Sequence, residues 1–401
     1  MQFCEVEKAA QRLKNVIHHI PLSSSRTFSD VVGAELYLKY ENQQKTGSFK
    51  VRGAYNKMAK LKEEGILTSV VASSAGNHAQ GVAFSAAALG VNATIVMPRS
   101  TPIAKVAATE GYGAKVVLYG DCYDDAYNHA MEIKEEEGAT FIHPFDDYDI
   151  IAGQGTISLE ILRDLPVMDV VMVPTGGGGL LAGMAFAIKQ INPRIKVVGV
   201  QAEGADALVQ SFKQKKLVTT DKVATIADGI AVKSPGELTF ALIKEYVDDM
   251  VTVSDADTAA AILLLLERTK QVVEPSGAVS LAAAINRKID LDGKKLVCVL
   301  SGGNIDVSFI HKIVEKGLIN RGRQMKFQTV MLDIPGSLEH FAHIVAGCGA
   351  NITMFQHDRL RADLNINEAI IHVVCEVAGF EHGKELVSKL QQAGYKVIME
   401  S

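Results

Sequence analysis

From residue 69 to residue 300 the chain repeats one pattern: a short β-branched run, a loop of glycine or other small residues, then a stretch of helical length. Strand patterns fall at 69–74, 93–97, 114–119 and 140–144, with helices at 78–89, stopped by Gly90, and at 124–137. A second series runs from a helix at 155–164 through strands at 169–173 and 195–201 with a helix at 180–190 between them. It continues with a strand at 250–253, a helix opened by a Ser254/Asp257 capping box and running to Lys270, and a strand at 295–300. Units of this length form parallel sheets covered on both faces, so the expected class is α/β with two open parallel sheets. Two sheets imply a cleft, and ligands of such sheets lie beyond the carboxyl ends of the strands. The chain's glycine-rich loops fall at those ends.

A different pattern begins near residue 325, after a polar segment at 320–324 that reads as a linker. Strands at 326–334, 351–360, 370–377 and 396–399 and helices at 338–348 and 382–393 follow the order β, α, β, β, α, β of a ferredoxin-like module. The expected domains are therefore 1–320, with a smaller α/β part at about 45–148, and 325–401.

Composition narrows the function. A formal net charge of -5 over 401 residues, with no basic arm, points away from nucleic acid. The longest apolar run, 259–266, is too short to cross a bilayer, and the first twenty residues resemble neither a signal peptide nor a transit peptide. Five scattered cysteines without a C-x-x-C pair suggest neither disulfides nor zinc, and fit a reducing cytoplasm. The adjacent His18 and His19 lack the spacing for a shared metal, and no metal is expected.

The chemistry is concentrated in five loops. In KTGSFKVRGAYNK, residues 45–57, Thr46, Gly47 and Ser48 read as turn and N-cap, which places Lys50 in a first helical turn between the apolar Phe49 and Val51. Helix dipole and desolvation would both lower its pKa toward a nucleophilic amine able to form an imine; alone, the local pattern more often marks a solvated surface lysine. PTGGGGLLAG puts Gly176, Gly177, Gly178 and Gly179 between a buried strand and a helix that starts at Leu180, where bare amides and the helix dipole suit a phosphate. It is neither a Walker nor a dinucleotide motif. SSAGNHAQG, residues 73–81, suits a carboxylate, with Ser74 and Asn77 at the turn, or else is simple capping. SGGNID exposes Ser301 at a strand tip, and Glu274 in EPSGA is either a site acid or the cap of a proline-started helix. A reactive lysine, a phosphate cradle, a carboxylate loop and a polar group for a ring nitrogen are together what pyridoxal 5'-phosphate and an amino-acid substrate require.

In this order TGSFKVRGA, SSAGNHAQG, GQGTISLEI, PTGGGGLLAG, VVEPSGA and SGGNID resemble the threonine dehydratases (threonine ammonia-lyases) of the fold type II, tryptophan synthase beta-like, pyridoxal-phosphate group, over residues 5–320. The remainder, through its DIPGSLEHF segment, resembles a regulatory ACT domain. The resemblance implies that Lys50 is the Schiff-base lysine, beside Phe49. It further implies that Asn77 holds the ring oxygen, that Gly176, Gly177, Gly178, Gly179 and Leu180 bind phosphate, and that Ser301 faces the pyridine nitrogen. Ser74 and His78 would lie on the substrate carboxylate loop and Glu274 near the cleft.

The implied reaction is β-elimination and deamination of L-threonine, and of L-serine, to 2-oxobutanoate or pyruvate and ammonia, with Lys50 as base and the cofactor phosphate as proton donor to the leaving hydroxyl. Serine racemase shares the motifs, but Ala75 stands where a second serine would protonate the opposite face, and Gln201 and Ala207 replace the acids of its cation site. A non-catalytic amino-acid sensor is a third reading, against which the retention of Lys50 counts. A homo-oligomer, a dimer or tetramer, and an amino-acid effector held near Gly336 and Ser337 and the strand from Asn351 are further expectations of the resemblance. The C-terminal module could also serve only to hold subunits together.

Overall fold

The computed structural model describes residues 1–359 and 365–400. The chain forms two compact units, Met1–Ile305 and Asp306–Ser401. The first holds both parallel sheets. Its larger sheet has six strands in the order Ser23–Ser24, Glu35–Tyr40, Lys295–Leu300, Val170–Pro174, Lys196–Ala202, Asp249–Val253, all parallel except the first pair. The smaller sheet orders Lys115–Leu118, Asn92–Met97, Ser69–Ser73 and Thr140–Phe141, all parallel. Every residue of Val170–Pro174 is buried, as a strand covered on both faces requires. Val171, Val173, Val197, Val297, Leu181 and Ala185 centre the larger core, and Val70, Ile95, Met97 and Ile142 the smaller.

The expected elements recur with boundaries shifted by a few residues, with one larger departure. The helix expected at 155–164 is Tyr148–Asp164, seven residues longer at its start, where the Asp147 carboxylate accepts from the amides of Asp149 and Ile150 at 2.8 and 3.1 Å. Gly153 and Gly155, both inside this helix, serve close packing. A Cβ on Gly153 would lie 2.6 Å from the Arg52 carbonyl oxygen, and one on Gly155 would lie 2.7 Å from that of Gly183. Lys50–Glu63, Tyr148–Asp164 and Gly179–Ile191 therefore cross at backbone contact.

Behind the lysine helix lies a buried ionic cluster. Arg52, fully buried, pairs with Glu41 at 2.7 Å and with Glu160 at 2.6 Å, while the equally buried Lys39 reaches Glu160 at 2.6 Å and donates to the Ile20 carbonyl. Two cations face two carboxylates, so the charges balance in a cluster of which only Glu160 is partly exposed.

The second unit begins with the helix Val307–Asn320 and continues as Gln324–Leu332, Ser337–Gly347, Asn351–Asp358, Glu368–Glu376, Phe380–Gln392 and Ile398–Met399. Its antiparallel sheet orders the strands Asn351–Asp358, Glu368–Glu376, Gln324–Leu332, Ile398–Met399, the arrangement of a ferredoxin-like fold. Phe327, Phe341, Val373 and Leu386 fill its core. Two sequence expectations are corrected. Residues 321–323 make a tight turn between helix and strand instead of a linker, and the second unit begins ahead of that helix, because Val307–Asn320 packs on the unit's first strand, with Glu315 paired to Lys326 at 2.9 Å. Asn351 pairs with Glu376 at the end of the sheet remote from Gly336 and Ser337. The other end of the same strand, with Phe355, His357 and Arg359, lines a depression of about 510 Å³ shared with Gly336. Leu360, expected to end this strand, lies outside the described residues.

Candidate active site

Lys50 is the first residue of its helix, and Phe49 rather than Ser48 is the N-cap, after a turn in which Thr46 takes the left-handed conformation at φ 64°. The Lys50 ammonium donates to the Pro144 carbonyl at 2.8 Å and lies 5.4 Å from the centre of the Phe49 ring. Burial lowers its pKa to about 8, against a partial opposing pull from the Glu274 carboxyl.

Pro144 leads to Phe145, whose ring packs against the glycine loop: a Cβ on Gly177 would come within 2.5 Å of three of its ring atoms. The loop is held from the other side by Thr239, which donates from Oγ1 to the Gly177 carbonyl at 2.7 Å, and Gly178 takes φ +100°. Among the described residues no group accepts from the amides of Gly176, Gly177, Gly178, Gly179 or Leu180, although all but Gly176 are buried. Five such donors at the start of a helix of 13 residues fit an anion with several oxygens.

The other loops converge on the same lysine. The Phe49 amide donates to the Ser301 carbonyl at 3.1 Å, and Ser48 bridges to Gly302. Ser301 is buried, and its hydroxyl has no partner among the described residues. Glu274 is the N-cap of Pro275–Ile285, yet its side chain makes no cap bond. Its Oε1 instead accepts from Asn77 Nδ2 at 2.7 Å, and a Cβ on Gly302 would overlap it. Burial and then the nearby Asp228 raise the Glu274 carboxyl to about 8, although the Asn77 bond opposes the shift. Asn77 likewise does not cap its own helix, Asn77–Leu89, which has Gly76 at the N-cap. The capping explanations left open by the sequence do not describe these two side chains.

Ser74 stays beside the turn, its Oγ accepting from the Gly76 amide at 3.3 Å. His78 is buried, with Nε2 at 2.8 Å from the Ile142 carbonyl, which can only accept, so that nitrogen carries the proton. Burial, then Lys50, lowers its pKa to about 3 and keeps it neutral. A carboxylate on this loop would meet amides and Ser74, not a cationic histidine.

Sequence reasoning missed four participants: Pro144 and Phe145, which join the lysine to the glycine loop, Asp228 beside Glu274, and Asn304. Asn304 lies in the quoted SGGNID motif, where only Ser301 drew notice; its Nδ2 donates to Asn77 Oδ1 at 2.6 Å and to the Thr46 carbonyl at 2.9 Å. HPFDD, 143–147, carried a signal, being a polar loop at the carboxyl end of a strand. Among the described residues no three His, Cys, Asp or Glu side chains cluster to hold a metal, and no helix is long and apolar enough to cross a membrane.

Residues 13–302 match the model of a family described as pyridoxal-phosphate dependent enzyme. The chain is 49% identical over 393 residues to an L-threonine ammonia-lyase of Thermotoga maritima, with 98% of each covered. Among solved structures, threonine deaminase isoform 2 of Solanum lycopersicum superposes with a TM-score of 0.74 at 41% identity, over 78% of this chain and 87% of that one. Maize serine racemase gives a TM-score of 0.75 at 36% identity, over 80% and 98% of the two chains.

Proposed function

The chain belongs to the pyridoxal-phosphate-dependent enzymes, and from that premise we propose that it is a threonine ammonia-lyase. It converts L-threonine to 2-oxobutanoate and ammonia, and L-serine to pyruvate and ammonia. The observation that carries the reading is the meeting of a half-buried, low-pKa Lys50 with the unpaired amides of Gly176–Leu180 through Pro144 and Phe145.

When bound, the cofactor supplies the electron sink that acidifies the substrate Cα–H. The chain's residues supply the rest. Lys50 Nζ is the covalent attachment point and, once free, takes the α-proton; near neutral pH burial leaves part of it as the amine that both tasks need. The amides of Gly176, Gly177, Gly178, Gly179 and Leu180 would hold the phosphate, with Phe49 beside the lysine as the neighbour of the ring. Asn77 commits one N–H to Glu274 and offers the other to the ring oxygen. Ser301 would present a neutral hydroxyl to the pyridine nitrogen, which would leave that nitrogen unprotonated. Ser74 and the amides around it receive the substrate carboxylate. Glu274, protonated through much of the neutral range, steadies Asn77 without placing a full negative charge beside the ring.

Racemisation is disfavoured by Ala75, which offers no proton donor for the opposite face. In the second unit we place an ACT-type regulatory domain, within 325–401, that binds an amino-acid effector around Gly336 and Ser337, with isoleucine the first to try and a biosynthetic role implied if it inhibits. Depressions of about 580 and 510 Å³ flank that turn, the larger one lined also by His340, Glu368 and Lys396. A homo-oligomer in the cytoplasm completes the proposal.

The test is oxoacid release from threonine and serine by wild type and Lys50→Ala, with and without isoleucine. Activity in Lys50→Ala near the wild-type rate would overturn the assignment of the lysine. An isoleucine response that survives truncation after Gly322 would overturn the regulatory one.

A further inference from the structure

An amide side chain can sit either way round in its site, and which end carries the N–H groups is decided by its partners. For Asn77 the decision can be traced to a group that cannot invert. The Thr46 carbonyl only accepts, and it takes one hydrogen from Asn304 Nδ2 at 2.9 Å. That fixes the nitrogen of Asn304, whose second hydrogen meets Asn77 at 2.6 Å, so the Asn77 atom there must be the oxygen. Asn77 Nδ2 then faces Glu274 Oε1 at 2.7 Å and keeps one hydrogen uncommitted.

The surrounding backbone is shaped to this relay. Thr46 adopts a left-handed conformation, φ 64°, that β-branched residues rarely take. Gly47, at φ +70°, leaves space that a Cβ would take from Asn304 Oδ1, and the Gly303 amide ties the two loops together at the Gly47 carbonyl, 2.9 Å away.

We infer that Asn304 is a positioning residue for the reaction: anchored on the Thr46 carbonyl, it fixes the orientation of the Asn77 amide and so holds an N–H donor at the cofactor ring oxygen. The inference rests on the reading of Asn77 given above. Asp at position 304 cannot donate to Asn77 or Thr46, so the Asn77 amide turns its nitrogen toward position 304 and withdraws its donor from the ring.

The experiment compares holoenzymes of wild type, Asn77→Ala, Asn304→Ala, Asn304→Asp and the double variant Asn77→Ala/Asn304→Asp. The readout is the ratio of visible to near-ultraviolet cofactor absorbance across the neutral pH range, with circular dichroism and thermal melts to confirm folding. A donor at the ring oxygen stabilises its ionised form, so Asn304→Asp should lower the visible-to-near-ultraviolet ratio by about tenfold, the scale of one hydrogen bond to a charged acceptor. Asn304→Ala should lower it less, and Asn304→Asp should add nothing in the Asn77→Ala background. If Asn77→Ala leaves the ratio unchanged, the ring-oxygen reading itself fails. If Asn77→Ala shifts it while both Asn304 variants keep the wild-type ratio and lose only melting temperature, Asn304 is structural and the relay is refuted.

Discussion

The state of Lys50 gives a quantitative test of the site before any catalysis. Its pKa, lowered by burial from 10.5 to about 8, leaves ~25% of it as free amine at about pH 7.5, against ~0.1% for an ordinary lysine. Cofactor-free protein should therefore capture pyridoxal phosphate at Lys50 roughly 200-fold faster per amine than at exposed lysines. The capture rate should rise with pH to a midpoint near 8, followed by visible absorbance and then by borohydride fixation and peptide mapping. The same displacement has a thermodynamic side. Between about pH 8 and 10.5 the unfolded chain binds the proton that the folded chain has released, so stability rises with pH across that window. Below it the buried ammonium costs about 3 kcal/mol. Lys50→Met should accordingly melt higher than wild type in the cofactor-free form near neutrality, with the gap closing above about pH 10. A capture midpoint near 10.5, or label spread evenly over surface lysines, would refute the burial argument.

Ser301→Asp should slow elimination and bring a new long-wavelength absorbance with threonine, because a carboxylate there favours the protonated ring; an unchanged spectrum and product ratio count against Ser301 as the ring partner. Gly177→Ala should weaken cofactor binding by about tenfold or more and cost about 1 to 3 kcal/mol, since its methyl would lie 2.5 Å from the Phe145 ring. Cofactor titration and melting check this, and Phe145→Leu in the same background should recover part of both losses. Arg52→Met should cost about 3 to 5 kcal/mol in denaturant unfolding by leaving Glu41 buried without its partner, and unaltered stability would show the cluster to be dispensable.

Strand and loop order was legible because it rests on local chemistry: β-branched runs, Gly90 as a stop, the Ser254 capping box that the structure reproduces. What escaped depends on partners distant in sequence. Nothing around Gly153 tells that it faces the Arg52 carbonyl, so the sequence reading started this helix at Gly155, seven residues late. Glu274 stood at an N-cap position, and only the arrival of Asn77 from 197 positions away reveals that its carboxylate is used elsewhere. Asn304 was invisible for the same reason. In the second unit the strand from Asn351 was recognised, but pairing register decides which of its ends nears the Gly336 turn, and register is a property of two strands together.

The glycine crossings behind Lys50 also set where this enzyme can be altered. At Gly153, Gly155 and Gly183 the atom in the way is another backbone, so no rotamer change nearby makes room for even a methyl group. In a saturation library these three positions should accept glycine alone, whereas Gly76, whose Cβ would meet open space, should tolerate substitution sterically. Lys50 rides on a helix locked at that level. Pocket loops could thus be exchanged in search of other amino-acid substrates while the amine keeps its place.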